Sequence, residues 1–145
     1  MVAERVSSRA LAVRGTAALL IIAVLLFLFS TGLFIRIPLA YGVFLGDLVV
    51  LTLVMLFILR AEQLIAPLSS VISIALAANA NIVGAFVQSF LRMLEIAVAY
   101  YSLRRLPLLL LSPLVGSDNA GVLYDAAFLV AACLVIYSFV KAIAR

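Results

Sequence analysis

Long apolar runs alternate along the chain with short charged punctuation. The first run, Thr16 to Ile35, contains no charged residue; it follows Arg5, Arg9 and Arg14 and stops at Arg36 and Pro38. A helix that crosses a bilayer needs about 20 consecutive, mostly apolar residues, so this run predicts a spanning helix over 16–35. The second run, Tyr41 to Leu59, ends at Arg60 and Glu62. Its one charge, Asp47, falls near the start, at headgroup level. The third run extends from Leu64 to Phe86. Pro67 falls in its first turn, where a missing backbone N–H costs nothing, and Asn79 and Asn81 fall deep inside it. The fourth, Phe90 to Leu114, is interrupted by Arg92, Glu95, Arg104 and Arg105. After a polar loop over 117–121, the last run goes from Val122 to Ile143, with Asp125 near its start and Lys141 and Arg145 at its end.

A basic stretch before an apolar one also describes a secretory signal. The first run is longer than the apolar core of such signals, about 7–15 residues, and Pro38-Leu39-Ala40 is a poor match to their A-x-A cleavage site. It reads as a retained helix. Spans are thus expected over 16–35, 41–59 and 122–140, with 64–86 as a further one. The fourth run is different. Arg104 and Arg105 lie near the middle of its apolar stretch, and a charge at the bilayer centre costs roughly 2.5–3.5 kcal/mol on insertion scales. Four spans plus an irregular or interfacial segment is therefore preferred to five. The fold class is all-α: a polytopic transmembrane bundle of four or five membrane helices, forming one domain over 1–145.

Composition supports that class. Of 145 residues, 68% are hydrophobic and 11% charged, and a small soluble domain cannot hide so much apolar surface. The net charge is +4. The basic residues flank apolar runs, as positive-inside flanks do, so no nucleic acid is expected as partner. With Arg5, Arg9 and Arg14 ahead of the first span, the N-terminus is placed in the cytoplasm and the chain in the cell membrane. Histidine is absent, which removes the commonest general base and transition-metal ligand. No Gly-rich phosphate loop is present, and Cys133, the lone cysteine, sits in an apolar run as inert packing. No catalytic residue, metal site or cofactor is expected.

Three patterns remain as candidates for function. Ser69, Ser73, Ala77, Asn81, Ala85 and Ser89 recur every fourth residue, which would lay small and weakly polar side chains along one helix face. Such a face lets backbones approach closely in lipid, and an asparagine can hydrogen-bond across it. It would serve packing within the subunit, an oligomer contact or a pore lining. Gly42 and Gly46 open the second run at small-xxx-small spacing. Gln88, Arg92, Glu95, Ala99 and Ser102 fall on one side of a helix that Arg105 continues, with Arg92 and Glu95 three apart and able to pair. That stripe reads as an interfacial helix, as an anionic-lipid contact through Arg104 and Arg105, or as a polar path through Arg92 and Glu95. Asp47, Glu62 and Asp125 read as boundary residues, and the tyrosines as an interfacial belt.

Leu91-Arg92, the apolar stretch to Arg104-Arg105 and the helix opened by Leu123-Tyr124-Asp125 resemble the phosphate-starvation-inducible PsiE family of small membrane proteins. The likeness covers 64–141; the leading helix and the long segment between Arg105 and Asp125 depart from it. It implies an accessory membrane protein with no catalytic residues. The expected role is thus a non-catalytic accessory or assembly subunit that contacts membrane lipid and works in a homo-oligomer or larger membrane complex. The alternatives are an oligomeric channel or transporter with a path near Arg92 and Glu95, and a hydrophobic helical filament subunit resembling the pilins.

Overall fold

A computed structural model describes residues 2–31, 37–40, 42–77 and 79–144, without the side chains of 2–6 and Ala40. The end of the first expected span (32–35), Arg36, Tyr41 and Arg145 lie outside the described residues. Among the described residues five helices and one small hairpin follow in order: α1 (Val2–Ser30), β1 (Pro38–Ala40), β2 (Val43–Phe44), α2 (Leu45–Leu76), α3 (Ala80–Leu103), α4 (Arg105–Val115) and α5 (Ser117–Ile143). The segments Ser7–Ser30, Leu45–Leu76, Ala80–Leu103 and Ser117–Ile143 are long and apolar enough to cross a membrane. The chain is an all-α membrane bundle with four such helices plus the short apolar α4.

Helix α2 is the centre of the bundle, packed between α1 and α3. Its buried residues Val50, Val54, Phe57, Ala61 and Leu64 repeat at alternating spacings of four and three. On α1, Ala12, Leu19 and Leu26 are buried at intervals of seven. These are the seam spacings of helices crossing at a shallow angle. Val83, Val87 and Leu91 of α3 close the core from the other side. The α1–α2 crossing is tightest at Gly15, where a Cβ would lie 2.6 Å from Leu64 Cδ1. Helix α5 packs on α3 and α4, at the edge of this layer.

The boundaries differ from the sequence reading in three places. Arg60 and Glu62 do not end a span. Helix α2 continues through them for 32 residues, about 48 Å at 1.5 Å per residue. Pro67 therefore lies inside α2 rather than in a first turn, and it leaves the Gln63 carbonyl without its i+4 donor. The chain turns instead after Leu76. Ala77 caps α2 in the left-handed region (φ 48°), and Asn79 opens α3 by accepting the Asn81 N–H at 3.0 Å. The fourth run divides at Arg104: its first part belongs to α3, and the rest forms α4.

Candidate functional site

The α2–α3 break rearranges the small-residue pattern. Ser69 and Ser73 lie on α2, Ala77 is its cap, and Asn81, Ala85 and Ser89 lie on α3. The single continuous face does not form. Ser69 and Ser73 donate to carbonyls of their own helix, those of Ala66 and Ser70, so neither bridges two helices. The glycine pair is also divided. Gly42 sits in the β1–β2 turn with φ +79°, and only Gly46 is helical, so the two do not share a helix face.

The charged residues gain partners that sequence distance conceals. Glu62 Oε1 lies 3.3 Å from Arg92 Nε, so Arg92 pairs across α2–α3 rather than with Glu95. Glu95 lies within electrostatic reach of both, and its Oε1 is buried with no hydrogen-bond partner. Arg92 is near the midpoint of α3, twelve positions from Ala80 and eleven from Leu103. Arg60 is at the midpoint of α2, with fifteen residues before it and sixteen after. It donates to Gln63 Oε1 at 3.4 Å. The cluster thus occupies the mid-length of two apolar helices, with side-chain exposures of 40% for Arg92 and 45% for Glu62.

A second charged site closes one end of the bundle. Asp47, in the first turn of α2, accepts the Phe44 N–H at 2.8 Å and faces Arg105 Nη1 at 3.4 Å. The Arg105 guanidinium lies 4.4 Å from the Phe44 ring centroid and reaches the Gly42 carbonyl. This ties the hairpin and α2 to the α3–α4 junction. Arg104 lies over the Tyr100 ring, 5.9 Å from its centroid. Both arginines line a cavity of about 420 Å³ that also touches Phe29, Asp47, Val50 and Leu108. Asp47 is the boundary residue that the sequence suggests; Glu62 is not.

The α3–α5 contact uses aromatic residues that the sequence reading left in an interfacial belt. Tyr124 is buried and donates to the Tyr100 carbonyl at 2.7 Å. Tyr100 donates to Asp125 Oδ1 at 2.8 Å, so Asp125 also has a tertiary partner. The Tyr100 and Tyr124 rings stack at 5.4 Å, and Phe128 packs on both. Hydrogen bonds of this kind join helices where water does not compete. The signal was in the sequence as Tyr124-Asp125 facing Tyr100-Tyr101, but nothing in one dimension sets the register of α3 against α5. Cys133 is exposed on α5. Among the described residues no group of three His, Cys, Asp or Glu side chains forms a metal site.

No protein-family model, curated protein or solved structure matches the chain.

Proposed function

We propose that this membrane bundle is a non-catalytic accessory or assembly subunit that works by packing against further transmembrane helices. The observation that carries the reading is the half-exposed Glu62–Arg92 pair at the mid-length of helices long and apolar enough to cross a membrane, with Arg60 two positions from Glu62 along α2. A helix pair centred on the bilayer holds these groups far from either headgroup layer. Charges there are expensive in contact with lipid chains and are met in protein interiors or water-filled cavities. A neighbouring polypeptide removes the cost.

A photoreactive residue at Leu59, which is 56% exposed and adjoins Arg60, tests this in intact membranes. Cross-links to polypeptide are expected. Capture of lipid alone would overturn the proposal.

A polar path is the second reading, favoured by the unpartnered buried Glu95 Oε1 beside Glu62 and Arg92. It requires ion flux through proteoliposomes that Glu95→Gln alters; flux that the substitution leaves unchanged, or none at all, removes it. A filament subunit trimmed after residue 40 is disfavoured by the core, because trimming would remove Leu19 and Leu26 from the α1–α2 seam.

A further inference from the structure

Arg14 and Arg60, far apart in sequence, line one groove between α1 and α2. The groove has a volume of about 350 Å³ and is completed by Gln63, Gly15, Leu64 and Pro67 among others. Among the described residues no carboxylate lines it and neither arginine belongs to an ion pair. Its polar groups are two guanidinium ions and an amide, against an apolar wall. Gly15 brings the two helices together at Leu64, beside the arginines.

We infer that this groove receives the carboxylate of an acidic residue on a second, different transmembrane helix. The inference rests on the assembly reading above and names the chemistry of the partner. Charge complementarity selects the occupant. Two guanidinium groups facing one site match a carboxylate by paired N–H···O bonds. Depth selects a helix over a lipid headgroup. Arg60 is at the midpoint of α2, and Arg14 lies seven residues inside the Ser7–Ser30 segment rather than ahead of it, about 10 Å along the helix from its start, whereas lipid phosphates lie outside the hydrocarbon core. The chain's own mid-length carboxylates do not qualify: Glu62 is committed to Arg92, and Glu95 holds one oxygen enclosed beside that pair. A second copy therefore brings no free carboxylate at this level, and the partner is a different helix.

The test uses synthetic single-span poly-leucine helices that carry a central Glu or a central Gln. Each bears a fluorophore and is reconstituted with the labelled full-length chain in vesicles of zwitterionic phosphatidylcholine. Energy transfer should report at least tenfold tighter association with the Glu helix. Arg60→Gln and Arg14→Gln should each remove most of that preference, while Lys141→Gln, at the far end of α5, should leave it intact. Equal association of the wild-type chain with both helices overturns the inference without recourse to any variant that fails to fold. Loss of the preference on adding phosphatidylglycerol also overturns it, because a lipid phosphate is then the occupant. If the Leu59 photoreactive residue captures polypeptide while the Glu helix shows no preference, the groove inference fails and the assembly reading stands. If only lipid is captured, the assembly reading fails.

Discussion

Removing Arg92 should harm the protein more than removing its partner. The α2–α3 seam holds Glu62, Arg92 and Glu95, two carboxylates and one guanidinium. Glu62→Gln leaves Arg92 with Glu95, three positions along the same helix, so the remaining charges still balance and can pair. Arg92→Gln leaves two carboxylates and no cation in the seam. Breaking a fully buried pair by removing one member costs about 3–5 kcal/mol. The Glu62–Arg92 pair is half-exposed, so Arg92→Gln should cost about 2–3 kcal/mol and Glu62→Gln about 1 kcal/mol. The double variant should depart from additivity by about 1 kcal/mol, as contacting residues do. Reversible unfolding in mixed micelles by titration with dodecyl sulfate reads all three values. A Glu62→Gln cost equal to or above that of Arg92→Gln would show that Glu95 does not take over as the partner of Arg92.

Three further outcomes follow from the packing. Phe57, 2% exposed at the centre of the core, should cost about 2–3 kcal/mol as Phe57→Ala in the same titration. The cavity term applies there in full, while the water-transfer term is reduced by the lipid surroundings. Ala77→Gly should stabilise by about 1 kcal/mol, because a residue without a Cβ holds the left-handed cap at φ 48° without strain. Tyr124→Phe, which removes the bond to the Tyr100 carbonyl, should cost about 0.6–1.7 kcal/mol and raise amide exchange at the α3–α5 contact.

The fold class was legible because apolar length is a direct reading of bilayer thickness: four helices are long and apolar enough to cross, although the span expected over 64–86 is divided between α2 and α3, and the run expected to lie at the interface supplies much of α3. The boundaries were less so. Arg60 and Glu62 resemble a span end in one dimension, since charges ordinarily mark the headgroup layer. They continue a helix here because Glu62 has Arg92 across the seam, a compensation thirty residues away in the chain. The true break carries a local signal. Asn79 immediately precedes α3 and its side chain caps that helix by accepting the Asn81 N–H, and asparagine favours caps over helix interiors. The every-fourth-residue pattern misled for the same reason, since it assumed one helix across that break. The Asp47–Arg105 and Arg14–Arg60 juxtapositions depend on antiparallel register, which apolar surfaces alone leave open.

The assembly reading puts the charged cluster at the middle of the bilayer, and the depth of Cys133 reports whether it lies there. It is the chain's single cysteine, exposed near the midpoint of α5. The α3–α5 contacts fix its level: Tyr100 meets Asp125 and Phe86 meets Phe139, which sets Cys133 opposite Arg92. A spin label on Cys133 in lipid vesicles should show near-maximal collision with oxygen and almost none with a water-soluble nickel chelate. Strong collision with the chelate, or ready reaction of the thiol with a membrane-impermeant maleimide, would instead put the cluster in the headgroup layer.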